Sequence, residues 1–229
     1  MPDGFLDAPT SVTTGAVAAA GVALALRGAR RELDDRTAPM AGLVATFVFA
    51  AQMINFPVGA GTSGHLMGGA LAAVLVGPWT AILCMAVVLL VQGLLMADGG
   101  ITALGTNITL MGLVTVGVGW GVFVVLRRLL PARTSRVASS AAVAAFVSVP
   151  VAALAFTGLF AVGGTAPVDL QAVLVAMLGW HTLIGLGEAA VTGLVVASVV
   201  ATRPDLVRGA RPLVASRDLE IRTPEVAAP

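Results

Sequence analysis

The chain has two histidines, and each sits where an ionisable group needs a reason. His65 lies in Gly59-Ala60-Gly61-Thr62-Ser63-Gly64-His65-Leu66-Met67-Gly68-Gly69. Its imidazole suits cobalt, nickel, copper or zinc, and the glycines around it let backbone approach closely. The same stretch also fits a histidine that caps a loop or bonds between helices. Asp98-Gly99-Gly100 and Asn107 form a second polar group. Asp98 can ligate a cation, hold a ligand from behind or make a turn, and the two following glycines favour the turn. His181 and Glu188 are seven residues apart, about two helical turns, and so can share a face. Ionisable groups inside apolar spans are functional suspects, but this pair can equally lock the last helix against a neighbour. Gln52, Asn55 and Gln92 read as hydrogen-bonding residues at helix interfaces. Cys84 and Met85 read as packing residues, and one cysteine excludes a disulfide framework.

The elements that hold these residues are apolar helices. Hydrophobic residues make up 58% of the 229 and charged residues only 11%, against about 25% charged in ordinary soluble domains. That balance excludes a disordered chain, a nucleic-acid binder and a typical soluble enzyme. It predicts an all-α, polytopic membrane protein packed on small residues, with 27 glycines. Apolar segments run over residues 8–26, 39–57, 63–77, 79–96, 104–126, 137–160 and 169–201. The third is short and glycine-rich. The last, at 1.5 Å per residue, is roughly 50 Å long against roughly 30 Å of hydrocarbon, and is expected to be one long helix, tilted or broken.

All 13 basic residues are arginines, in three clusters: 27–36, 127–136 and 203–222. Positive loops face the cytoplasm. Four crossings between the first two clusters and two between the second and third satisfy that rule, giving seven spans in the cell membrane, N-terminus outside and C-terminus inside. Residues 1–202 form the membrane domain and 203–229 a polar, loosely ordered cytoplasmic tail. Asp3 and Asp7 precede the first span where a signal peptide would be basic. No GxxxxGK[ST] run occurs, so energy for active transport must come from a partner.

Longer motifs carry a family resemblance. They are Pro2-Asp3-Gly4-Phe5-Leu6-Asp7-Ala8-Pro9, Phe56-Pro57-Val58, Gly61 through Ala72, Gly77-Pro78-Trp79, Gln92 through Gly100, Gly105-Thr106-Asn107, His181, Ile184-Gly185 and Gly187-Glu188-Ala189. Over residues 2–202 the chain resembles the CbiM/NikM family, the substrate-specific membrane (S) components of energy-coupling factor (ECF) transporters for cobalt or nickel. The resemblance implies seven helices with an external N-terminus. It also implies a divalent ion held by nitrogens: the terminal amine, the backbone nitrogen and imidazole of a histidine after the first methionine, and the imidazole matching His65. Such a set suits Ni(II) and Co(II). Asp3, Asp98 and Asn107 are candidates for orienting the ligands and shaping the loop.

This sequence departs from the pattern at its start. Pro2 stands where the family has its histidine, and offers neither an imidazole nor an ionisable peptide nitrogen. The expectation is that Met1 corresponds to the family's third residue, that the protein is two residues longer, and that the histidine ligand directly precedes Met1. Met1 contributes a terminal amine only where it is the true start. The resemblance further implies partners: a CbiQ-like transmembrane coupling subunit, two CbiO-like cytoplasmic ATPases and a small CbiN-like membrane subunit, with no nucleic acid. The expected function is import of cobalt(2+), ahead of nickel(2+), with ATP hydrolysed by the partners and no enzyme activity in this chain. The alternatives are an S component for an organic vitamin and a non-transporting membrane scaffold. The low aromatic content, 5% with no tyrosine, argues against the vitamin.

Overall fold

The computed structural model describes residues 1–35, 37–59, 62–131, 133 and 135–211. Seven helices follow one another: α1 (Ala8–Ala29), α2 (Thr37–Gln52), α3 (Gly69–Val76), α4 (Pro78–Leu95), α5 (Leu104–Leu129), α6 (Ser135–Gly163) and α7 (Leu170–Thr202). A two-stranded antiparallel ribbon, β1 (Asn55–Gly59) and β2 (Thr62–His65), joins α2 to α3, pairing Asn55 with His65 and Phe56 with Gly64. The all-α membrane class is as expected, but seven full crossings are not. Among the described residues five helices, α1, α4, α5, α6 and α7, are long and apolar enough to span a bilayer. With 16 residues, α2 reaches about 24 Å. With eight residues, α3 reaches about 12 Å. The segments read as 39–57 and 63–77 give way to the ribbon because Pro57 lacks an N–H and Gly59, Gly61 and Gly64 weaken any helix. The last span is unbroken through its 33 residues.

Helix starts follow from local chemistry. Asp7 caps α1 by accepting from the Thr10 N–H at 2.9 Å, with Pro9 in the first turn. Asp169 caps α7 through the N–H groups of Gln171 and Ala172. The cap of α4 comes from elsewhere: buried Glu32 accepts from the Thr80 N–H at 2.8 Å and the Thr80 hydroxyl at 3.0 Å.

Small residues set the helix spacing. A Cβ on Gly105 would lie 2.4 Å from the Gly15 Cα, so α1 and α5 meet backbone to backbone. Beside that contact Thr14 and Thr106 share a hydrogen bond of 2.7 Å, and the Thr109 hydroxyl donates to the Thr14 carbonyl. Every residue of α3 is buried, and it packs on α4, α5 and α6 at the centre of the bundle. The outer faces carry exposed Leu24, Leu43, Leu94, Leu183 and Leu194, an apolar coat suited to lipid tails.

The bundle has two distinct ends. At one, Arg211 reaches Asp34 at 3.1 Å and the Thr37 hydroxyl at 2.8 Å. Residues 203–211, read as the start of a loose tail, instead turn back onto the bundle and bury Val207, Gly209 and Ala210. Residues 212–229 lie outside the described residues, as do Arg36, Arg217 and Arg222. The other end carries Met1, His65 and the turn from Ala97 to Gly100.

Candidate metal site

The site is built by the N-terminal segment lying across the second end. Phe5 is its anchor, buried with its ring centroid 5.6 Å from Phe156 and 5.3 Å from Phe160, both on α6. Backbone bonds hold the segment on both sides. Asp7 N–H donates to the Gly163 carbonyl at 2.7 Å, Thr165 N–H to Phe5 at 3.1 Å, and the Thr165 hydroxyl to Gly4 at 2.6 Å. Nearer the terminus, Gly100 N–H donates to the Met1 carbonyl at 2.9 Å. Asp3 accepts from both the N–H and the hydroxyl of Thr102. Those two donors, the hydroxyl foremost, hold the Asp3 carboxyl below the usual carboxylate range. Gly100 must be glycine for this fit, because a Cβ there would sit 2.4 Å from the Asp3 nitrogen.

The segment thus delivers the Met1 amine into a cavity of about 330 Å³, lined also by His65, Gln92, Asp98, Gly99 and Asn107. The amine donates to Asn107 Oδ1 at 3.3 Å. Burial pushes its pKa below that of an ordinary terminal amine, with the Asp98 and Asp3 carboxylates partly opposing the shift.

His65 ends β2, half buried. Its Nδ1 lies 2.8 Å from the Leu66 carbonyl. A carbonyl only accepts, so Nδ1 carries the proton and Nε2 is the free nitrogen. Asn107 stands where α5 changes from α-helical to π-helical winding over Ile108–Val114, a local widening of the kind that often marks functional positions. Asp98 follows Ala97, a non-glycine residue at φ +53°, a conformation that L side chains seldom adopt. Asp98 also serves the turn, its N–H donating to the Gln92 carbonyl at 3.0 Å. The side chain of Gln92, read as an interhelical hydrogen-bonder, is buried at the cavity wall, and its Nε2 has no partner among the described residues.

His65, Met1, Asp3, Asp98 and Asn107, drawn from four separate stretches of sequence, therefore line one cavity. His181 and Glu188 lie behind it. His181 Nδ1 donates to the Met177 carbonyl at 2.8 Å, and the residue lines a smaller cavity of about 60 Å³ whose wall His65 shares. Glu188 lines neither and bonds the backbone of Met67 and Gly68. Among the described residues no three His, Cys, Asp or Glu side chains converge as a metal cluster. Thr102 and Thr165, which seat the N-terminal segment, carry no motif that singles them out in the sequence.

Comparisons with known proteins place the chain among metal-transport relatives. The family model described as "Cobalt uptake substrate-specific transmembrane region" matches residues 1–206. A putative metal transport protein of Haloquadratum walsbyi is 37% identical over 207 residues, covering 90% of this chain and 92% of the relative. A putative fused nickel transport protein NikMN of Archaeoglobus fulgidus is 37% identical over 208 residues, covering 90% of this chain and 67% of the relative. A cobalt transport protein CbiM of Sorangium cellulosum is 43% identical over 108 residues, 47% of this chain and 48% of the relative. The crystal structure of a truncated transition metal transporter superposes with a TM-score of 0.81 at 29% identity, covering 88% of this chain and 98% of that one. A second transition metal transporter structure gives 0.79 at 30% identity, covering 87% and 91%.

Proposed function

This chain belongs to the family of cobalt uptake substrate-specific transmembrane regions, and from that membership we propose that it captures a divalent transition-metal ion for an ATP-driven ECF transporter. It is a multi-pass membrane component of cobalt or nickel transport. Its cargo is Co(II) ahead of Ni(II), taken at the end of the bundle where Met1 meets His65. That end faces outward and the arginine-rich end faces the cytoplasm. Residues 1–202 act as the metal-binding membrane unit and residues 203–229 as a cytoplasmic tail.

The observation that carries this reading is the shared cavity. Met1, whose nitrogen is buried, and the imidazole of His65 line the same space of about 330 Å³. Nitrogen donors suit Co(II) and Ni(II). Asp98 supplies negative charge beside the ion, Asn107 holds the amine, and Asp3 locks the segment that carries it. Among the described residues no Phe or Trp side chain lines this cavity, which favours a small cation over a vitamin. Catalysis is not this chain's task. A CbiQ-like subunit, two CbiO-like ATPases and a CbiN-like subunit complete the machine, and ATP hydrolysis there drives release inward.

The test is calorimetric titration of the purified chain with Co(II) and with Ni(II), set against His65→Ala. Binding that disappears in the variant supports the reading. Equal binding by both proteins places the ion elsewhere, and no binding by either favours a scaffold. Uptake of the two ions in cells expressing the partners then ranks cobalt against nickel.

A further inference from the structure

Glu188 is 2% exposed, near the middle of α7, and among the described residues no arginine pairs with it. A buried carboxylate without a countercharge is costly unless its oxygens are bonded. Here both are. Oε2 accepts from the Met67 N–H at 2.6 Å, and Oε1 accepts from the Gly68 N–H at 2.7 Å. These are consecutive amides at the start of α3, with Gly68 at φ +78°. Successive N–H groups in such a turn form an anion-binding concavity, and the positive end of α3 adds to it.

The identity of the bonded amide gives Glu188 its second role. The Met67 N–H and the Leu66 C=O belong to one peptide unit, which is rigid and planar. That Leu66 carbonyl is the acceptor for His65 Nδ1–H. The order of atoms is carboxylate, N–H, C=O, imidazole N–H, ending on a residue that lines the cavity. On the other side, Gln52 Nε2 donates to the Met67 carbonyl at 2.7 Å, so α2 and α7 grip this short backbone together.

We propose that Glu188 is a positioning residue for the metal-binding imidazole, acting through the Leu66–Met67 peptide bond. The inference rests on the reading of His65 as a ligand. Histidines that bind metal usually donate their other ring N–H to a carboxylate or a carbonyl, which fixes the tautomer and raises ligand basicity. In this chain both acceptors are used in series. The peptide link turns the ring, and the carboxylate, by polarising the amide, strengthens the carbonyl as an acceptor. Glu188 touches neither ion nor imidazole.

Glu188→Gln keeps the size but presents an amide NH₂ to one of two N–H groups. The full chain is titrated with Ni(II) alone, alongside His65→Ala, with Thr192→Val as a packing control one turn further along α7. Expected for Glu188→Gln is a 10- to 100-fold weaker affinity, a shifted ligand-field absorption band at saturating Ni(II), and faster hydrogen exchange in the backbone around residues 64–70. Thr192→Val leaves all three unchanged. A folded Glu188→Gln protein with wild-type affinity and band overturns the inference while leaving the site reading intact. Wild-type binding by His65→Ala overturns both. Should Glu188→Gln not fold, the wild-type chain decides by nitrogen NMR of its histidines. His65 protonated at Nδ1, with Ni(II) on Nε2, supports the relay, and the metal on Nδ1 overturns it.

Discussion

The two ends of the bundle solve one problem with the same residue type and opposite consequences. At the arginine-rich end Glu32 caps α4 by accepting from the N–H and the hydroxyl of Thr80. At the Met1 end Glu188 accepts from the Met67 and Gly68 N–H groups, just ahead of α3. Both are buried carboxylates that satisfy backbone N–H groups at or beside a helix start. Glu32 bonds a residue that does not line the cavity, so its contact serves stability. Glu188 bonds an amide that already carries an imidazole, so its contact is also geometry. What a buried carboxylate does is decided by what its partner is attached to.

That contrast can be broken in several ways, beginning with the largest effect. His65→Ala should abolish Ni(II) and Co(II) binding in titration while leaving thermal unfolding near wild type. Glu32→Ala should do the reverse. It leaves a buried N–H unpaired, at about 1–3 kcal/mol, visible as a lower unfolding temperature, with metal affinity within twofold of wild type. An affinity loss as large as that of Glu188→Gln would erase the distinction between the ends. Gly105→Ala forces a Cβ into α1 and should cost about 1–3 kcal/mol. Because α1 follows directly on the N-terminal segment, the same variant should also weaken metal binding severalfold. Thr102→Val removes one of two donors to Asp3. It should raise the Asp3 pKa toward the ordinary range and lower affinity only a few-fold, read by titration and by NMR of the carboxyl.

The smallest effect is a shift in pH. With Met1 as the true start, the ion competes with a proton for its amine, and burial lowers that amine's pKa. Binding should then persist below the pH at which an ordinary amine would be protonated. Asp98 raises the amine pKa, so Asp98→Asn should move the midpoint of binding further down, whatever happens to the affinity at its plateau. Titrations between pH 6 and pH 8.5 measure it.

Most of the helices were legible because composition and arginine spacing report on a bilayer directly. The starts of α1 and α4 could be read from Pro9 and Pro78, and the long α7 from its apolar run. The crossing count was overestimated because an apolar segment looks the same whether it spans a membrane or sits inside a bundle. Nothing in Gly69–Val76 reveals that neighbouring helices cover it on every side. The ribbon over 55–65 was missed although Pro57 and the glycines announced a break, since two strands of four or five residues leave little periodicity. Of the site, His65 stood out by type and Asp98 by its glycines. The Glu188 contact was invisible: its partners are 120 and 121 residues away and are backbone groups, which no side-chain pattern encodes. Gln92 was named in the sequence, but its unpaired nitrogen at the cavity wall is a fact of three dimensions.

The seat of Phe5 has a consequence for synthesis. Phe5 rests on Phe156 and Phe160, and its carbonyl is held by Thr165. Phe5 therefore waits for some 160 more residues before its resting place exists. A chain halted before α6 leaves the segment around Phe5 with nowhere to dock. Completion of the cavity is thereby reserved for molecules whose translation has passed that point.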